Sequence, residues 1–113
     1  MHELSLLESM VALVEDEQRR QHFSRVRAIC VHVGALGHVE PDALRFCFDA
    51  VTRGTIADGA MLSIVTIAGE GRCSDCHQTV PIYDLFAACP LCGNEHVRMT
   101  AGDELRLVEL EVE

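Results

Sequence analysis

Two C-x-x-C pairs constrain the fold of this 113-residue chain more than any other feature. They are Cys73–Cys76 and Cys89–Cys92, with twelve residues between them. Each pair offers two thiolates from one tight turn, and the intervening loop is long enough to bring both turns around one ion. Zn²⁺ favours such tetrahedral sulfur ligation, and four protein ligands leave no open position for water or substrate. The spacing therefore predicts a structural zinc site; an iron site, disulfides and free thiols are the alternatives.

Composition and charge favour metal over disulfides and exclude several partners. The first ten residues, MHELSLLESM, lack the basic and apolar regions of a secretory signal, so we expect a reducing cytoplasmic location. No apolar run approaches the roughly 20 residues that span a bilayer. The formal net charge of −9 repels phosphate backbones. We therefore expect neither a membrane nor a nucleic acid as a partner.

Hydrophobic periodicity predicts an α+β fold. Helical spacing marks one helix from about Glu3 to Arg20 and a second that begins at Pro41. Alternation marks strands at 26–33, 61–67 and 104–112, and a shorter strand near 80–83. We expect the last strand to pair with the strands that precede the cysteine region. The prediction is two helices against a small antiparallel sheet (residues 1–68 plus 103–113), with an inserted zinc-ribbon-like module (residues 69–102).

The remaining cysteines and two histidines have less specific interpretations. Cys30 and Cys47 fall in a strand pattern and on the apolar face of a helix, so we expect small buried hydrophobic side chains. His77 and His96 follow the two cysteine pairs and are expected to be exposed loop residues. The alternative is that either histidine replaces a thiolate or contacts a second metal. Glu40, directly before Pro41, is expected to start a helix rather than to bind metal.

The beginning of the chain carries a second motif, Met1-His2-Glu3-Leu4-Ser5. Together with the late cysteine pairs, this start resembles the HypA/HybF hydrogenase nickel-incorporation proteins. The resemblance continues through Val33–Leu36, Val39–Pro41, Ala43–Phe46, Gly54–Ala57 and Glu109–Val112, and so spans nearly the whole chain. One departure is His77, where many members have glycine, and it concerns the shape of that turn rather than the ligands.

The resemblance implies a nickel-binding domain with Met1, His2 and Glu3 as its site, beside a zinc domain. It also implies delivery of Ni²⁺ to the large subunit of [NiFe] hydrogenase, together with a nickel-associated GTPase; some members also serve urease. The chemistry agrees, because an imidazole at position 2 and the α-amine can chelate one ion, and nitrogen-rich tetragonal ligation suits Ni²⁺ or Cu²⁺. A solvated histidine, and a glutamate that only stabilises the first turn of a helix, are the alternatives.

Other classes of protein fit the same cysteines less well. A zinc-ribbon module that binds nucleic acid should have a basic face, but residues 69–102 contain only Arg72 and Arg98 against four acidic residues. A zinc-ribbon module that binds protein remains as an alternative, as does a rubredoxin-like electron carrier. We expect no enzymatic activity, because a closed four-thiolate site has no open position and no nucleophile–base motif is present.

Overall fold

The computed structural model describes residues 3–113, so Met1 and His2 lie outside the described residues. The elements follow in the order α1 (Glu3–Gln21), β1 (Val26–Gly34), α2 (Pro41–Thr52), β2 (Met61–Ile67), β3 (Gly69–Cys73), β4 (Thr79–Ile82), β5 (Val97–Ala101) and β6 (Leu105–Val112). The predicted α+β class, with two helices and small sheets, is confirmed.

Both helices bury one side at helical spacing. In α1 the buried residues are Leu7, Met10, Val11 and Val14, which follow at i, i+3, i+4 and i+7. In α2, Leu44, Phe48 and Thr52 are buried at intervals of four. The two helices pack against each other. The apolar stripes that predicted the helices thus form part of one hydrophobic core.

The first sheet has three strands in the order β2-β1-β6. The start of β1 meets the end of β6, where the Ser24 N–H donates to the Glu113 carbonyl at 2.7 Å. The end of β1 meets the start of β6, where the Gly34 N–H donates to the Glu104 carbonyl at 2.8 Å. These bonds make β1 and β6 antiparallel. The predicted pairing of the last strand with a strand before the cysteine region is therefore confirmed.

The second sheet is antiparallel, with the order β4-β3-β5. Its middle strand alternates between buried Gly69, Gly71 and Cys73 and exposed Glu70 and Arg72. The buried side faces a small apolar core, whose members are Leu36, Cys73, Val80, Ile82 and Cys89. Two of these five are cysteines of the predicted metal site, so the sulfur atoms belong to the interior of the sheet.

The chain forms two compact units. The first contains the residues up to His32, together with Val39–Val65 and Arg106–Glu113. The second contains Val33–His38 and Thr66–Leu105. Val33–His38 belongs to the second unit because Leu36 joins the core around the cysteines; the sequence pattern does not indicate this. The predicted division into a nickel domain and a zinc domain stays a prediction.

Three glycines of the second unit allow very close backbone approach. A Cβ on Gly102 would lie 2.3 Å from the Cα of Gly69, and a Cβ on Gly34 would lie 2.1 Å from the Gly102 carbonyl oxygen. Gly102 also has φ +113°, a conformation that side chains rarely adopt. The backbone segments that meet here can approach this closely only because these positions are glycine.

Within residues 3–113, no helix combines the length and apolarity needed to cross a bilayer.

Candidate metal sites

The two C-x-x-C pairs form turns with the same backbone hydrogen bonds. In the first turn the His77 N–H donates to the Cys73 carbonyl at 2.9 Å, and the Cys73 N–H donates to the Gln78 carbonyl at 3.0 Å. In the second turn the residues sixteen positions later, Gly93, Cys89 and Asn94, make the equivalent bonds at 2.8 and 2.7 Å. Two similar loops therefore present their cysteines in the same way.

The residue after each pair has a left-handed backbone conformation. Gly93 has φ +81° and His77 has φ +61°. Glycine adopts this conformation without penalty, whereas it is uncommon for other residues and several-fold enriched only in Asn, Asp and His. His77, at the position that corresponds to Gly93 in the other turn, is thus one of the few residue types that preserve the turn.

The four sulfur atoms converge at one point. Cys73, Cys76, Cys89 and Cys92 each place a sulfur within 4.8 Å of the other three. The Sγ atoms of Cys73 and Cys92 are 3.6 Å apart, and those of Cys76 and Cys89 are 3.7 Å apart. A disulfide requires about 2.05 Å. Four sulfurs at about 2.3 Å from one Zn²⁺ in a tetrahedron would be about 3.8 Å apart, so the spacing suits a shared ion.

Burial and charge both favour a cation at this position. Cys73 and Cys89 are 0% and 2% exposed, Cys76 is half-buried and Cys92 is exposed. The site is therefore closed on one side by the core of the sheet. Four ionised thiols so close together would repel one another, and a divalent cation would offset that repulsion.

The pKa values of the thiols in the absence of an ion are uneven. For Cys89, burial alone would raise the pKa, but the N–H groups of Cys92 and Leu91 and the neighbouring thiols lower it to about 7. For Cys76, the Gln78 N–H lowers the pKa, but burial and the three other thiols outweigh it and raise the pKa to about 12. Of these two thiols, Cys89 therefore reaches the thiolate form that binds metal at the lower pH.

The predicted N-terminal site is only partly described. Met1 and His2 lie outside the described residues. Glu3 is half-buried at the first position of α1, and its Oε2 accepts a hydrogen bond from the Glu40 N–H at 3.3 Å. Glu40 is the N-cap of α2, and its own side chain accepts from the Asp42 N–H at 3.4 Å. Glu40 thus starts a helix, as expected, and the Glu3 carboxylate connects the beginnings of both helices.

Among the described residues, the other candidate ligands do not form a second cluster. Within residues 3–113, the four thiols are the one group of three or more His, Cys, Asp or Glu side chains close enough to share an ion. Exposed His96 contacts Asp75 instead, with Nδ1 and Oδ2 2.9 Å apart. Cys30 and Cys47, expected as small buried hydrophobic side chains, are half-buried, so their burial is only partial.

The family described as hydrogenase/urease nickel incorporation, metallochaperone, HypA matches residues 1–112 of the chain. Among named relatives, the hydrogenase maturation factor HypA of Methylocella silvestris is 69% identical over the full length of both chains. The protein of the same name from Rhodopseudomonas palustris strain BisB5 is 53% identical, also over the full length of both.

Solved structures show the same architecture. The solution structure of the Ni metallochaperone HypA from Helicobacter pylori superimposes with a TM-score of 0.71 at 26% identity. The match covers 99% of this chain and 97% of that one. A second solution structure, that of HypA protein, gives a TM-score of 0.72 at the same identity.

Proposed function

The chain belongs to the HypA family of nickel-incorporation metallochaperones, and from that premise we propose that it binds Ni²⁺ at its N-terminal end and delivers it to the large subunit of [NiFe] hydrogenase. The family is one of metallochaperones in hydrogenase maturation rather than of enzymes. The observation that supports the proposal most strongly is the match over residues 1–112, which includes Met1, His2 and Glu3.

The proposed nickel ligands are the Met1 α-amine, the His2 imidazole and Glu3. Amine and imidazole nitrogens on adjacent residues can chelate one ion, and the amide between them can join after metal-assisted loss of its proton. Ni²⁺ favours such nitrogen-rich tetragonal ligation. The hydrogen bond from Glu40 to Glu3 supports a role for Glu3, because a carboxylate that is already oriented costs less entropy to use as a ligand.

The proposed role of Zn²⁺ is structural. Cys73, Cys76, Cys89 and Cys92 are the proposed ligands. Two of their sulfur separations, 3.6 and 3.7 Å, support tetrahedral coordination, and all four sulfurs lie within 4.8 Å of one another. Four thiolates leave no open position, so zinc would hold the second unit folded and take no part in transfer.

The proposed partners are the hydrogenase large subunit, which receives the ion, and a nickel-associated GTPase that acts with this protein in the cytoplasm. The hydrogenase large subunit is supported as a partner because the relatives are named hydrogenase maturation factors. The GTPase follows from the family resemblance alone.

Nickel titration of untagged protein tests the proposal. We expect His2→Ala to abolish nickel binding and to leave the zinc content unchanged, because the two sites share no ligand. His22→Asn is a suitable control: His22 is exposed with φ +58°, a conformation that asparagine tolerates. Equal loss of both metals in His2→Ala, or full nickel binding by it, would contradict the ligand set.

Two further measurements of nickel affinity test the nitrogen ligands: its dependence on pH, and its change when the α-amine is blocked. Ni²⁺ must displace protons from groups with reference pKa values of about 6.5 for histidine and about 7.7–8.0 for the α-amine. Affinity should therefore weaken as the pH falls from about 8 to 6. An N-terminal tag that masks the amine should weaken binding although His2 is intact; undiminished affinity would remove the amine from the ligand set.

A further inference from the structure

A cationic cavity lies on the exposed side of the second sheet, outside the proposed metal site. It has a volume of about 520 Å³. Its lining comprises two arginines, two histidines, two hydroxyl side chains and one valine, namely Arg72, Arg98, His77, His96, Ser74, Thr100 and Val97. Among residues 3–113, no carboxylate lines the cavity, although the chain has 18 acidic residues against nine basic ones.

The two arginines face each other across neighbouring strands. Arg72 on β3 pairs with Arg98 on β5 in the antiparallel register, and both are exposed. Like charges at directly opposed positions destabilise a sheet. Within residues 3–113, neither arginine lies within ion-pair distance of a carboxylate. The sheet therefore carries an electrostatic cost that an external anion would offset.

The acidic residues nearest in sequence do not neutralise the pair. Asp75 contacts His96, with Oδ2 and Nδ1 2.9 Å apart. Glu70 lies on the same exposed side of β3 as Arg72, but its cross-strand neighbour is Ala101. The positive charge of the cavity is thus available to a ligand.

Beside the cavity lies a strand edge. In the order β4-β3-β5, β5 has a strand on one side only among the described residues. An edge strand offers backbone N–H and C=O groups to an added extended segment, and alternate side chains of that segment point to the same side. From such a segment, Arg98 lies one strand spacing away and Arg72 two, about 5 and 10 Å, which long acidic and arginine side chains can bridge.

We propose that this cavity and the adjoining edge of β5 bind an acidic, extended segment of a partner protein. Arg72 and Arg98 pair with its carboxylates, for which the planar guanidinium fork is suited. The Ser74 and Thr100 hydroxyls donate to the carbonyls of His96 and Glu70 at 3.2 and 3.3 Å, and their oxygens can still accept hydrogen bonds from the segment. A long polyanion such as a nucleic acid is a poor ligand, because the net charge of −9 repels it beyond this small patch.

Fluorescence anisotropy with a defined peptide tests the proposal. The probe is a labelled peptide of about six residues, the length of a common strand, with alternating glutamate and valine; its matched control has glutamine at each glutamate. Measurements use the zinc-loaded full chain without nickel, so that failure here is distinct from failure of the nickel proposal. The acidic peptide should bind, and binding should weaken as salt rises from about 50 to 300 mM.

Variants assign the binding to the arginines. R72Q and R98Q should each weaken binding by about two- to fivefold, as expected for exposed ion pairs, and the double variant more. R53Q, at an exposed position after α2 in the first unit, should have no effect. The doubly reversed variant R72E/R98E should lose the acidic peptide and bind a peptide of alternating lysine and valine.

Thermal stability provides a second test, because in one variant it should rise while peptide binding falls. R98E alone places opposite charges across β3 and β5, so the midpoint of thermal unfolding should rise by about 1–5 °C while acidic-peptide binding falls. Equal binding of the glutamine peptide, or full binding by R72Q/R98Q, would overturn the proposal. So would inorganic phosphate binding as tightly as the peptide, since the site would then take a free oxyanion rather than a protein segment.

Discussion

At the scale of single residues, His77 and Gly93 occupy the same position in two similar turns. Both have positive φ, and an added Cβ at Gly93 would meet no atom within 4 Å. A side chain at Gly93 is therefore opposed by the backbone conformation alone. The motif spacing predicts the clustering of the four sulfurs correctly, because each tight turn brings two cysteines together through local backbone contacts alone.

Gly93→Ala should lower the free energy of unfolding by about 1 kcal/mol, the cost of a left-handed conformation for a residue with a Cβ. His77→Gly should change it by less than about 0.5 kcal/mol, because relief of backbone strain is offset by the greater freedom of glycine in the unfolded chain. Chemical denaturation of the zinc-loaded protein measures both. Equal stability of Gly93→Ala and the parent would show that the turn tolerates strain.

Glu3 illustrates what residue-level reasoning from sequence cannot reach. Its acceptor role toward Glu40 joins positions 37 residues apart. No local pattern indicates such a contact. Hydrophobic periodicity predicts only that Glu3 lies in the first turn of α1. The contact with Glu40 gives Glu3 a role in the fold, and this role is distinct from the proposed role of Glu3 as a nickel ligand.

Glu3→Gln should therefore separate these functions. The amide oxygen can still accept the hydrogen bond from the Glu40 N–H, so the unfolding free energy should fall by less than about 0.5 kcal/mol. Nickel affinity should fall because the carboxylate charge is lost. Glu3→Ala should lose about 1 kcal/mol as well as nickel affinity. If Glu3→Gln binds nickel as the parent does, Glu3 acts only in the fold.

At the scale of elements, the strength of the hydrophobic pattern decided what could be predicted. The helices and strands β1, β2 and β6 have regular apolar periodicity, and each lies close to its predicted position. By contrast, β3 and β5 were not predicted. The sequence of β3, Gly-Glu-Gly-Arg-Cys, has no side chain at two of its five positions and reads as a loop. Its strand conformation depends on pairing with β4 and β5.

Close packing against neighbouring parts of the chain explains the glycines at the start of β3 and after β5. Gly69 begins β3, and a Cβ on it would lie 2.1 Å from Cδ1 of Leu36. Gly102 follows β5 and approaches Gly69 through its own backbone. Both were recognised in the sequence as limits of the cysteine region. Their requirement for close contact became visible only in three dimensions.

Gly102→Ala should lower the unfolding free energy by more than about 2 kcal/mol. The left-handed backbone accounts for about 1–2 kcal/mol, and the 2.3 Å approach to Gly69 forces the backbone to shift. Gly54→Ala is the matched control, since Gly54 has φ +78° with no atom within 4 Å of an added Cβ. Urea denaturation measures the unfolding free energy of both variants. Equal losses of stability would mean that the close approach of Gly102 to Gly69 relaxes without cost.

At the scale of the whole molecule, the two units draw on different sources of stability. The first unit contains both helices, α1 of 19 residues and α2 of 12, and apart from Thr52 its buried residues are ordinary apolar side chains. The second unit has a core of three aliphatic residues and two cysteines. So small a core provides little hydrophobic stabilisation, and metal coordination is a common substitute in small folds.

Removal of zinc should therefore unfold the second unit and spare the first. After treatment with a strong chelator, circular dichroism at 222 nm should keep most of its helical signal, since α1 and α2 both lie in the first unit. Amide protons of β3, β4 and β5 should exchange with solvent much faster, while those of the two helices should stay protected. Cys73→Ala should reproduce this state without chelator, because it removes a buried thiol of the proposed zinc site. Loss of the helical signal together with zinc would show that the chain unfolds as one cooperative body, and the predicted division into two domains would then be wrong.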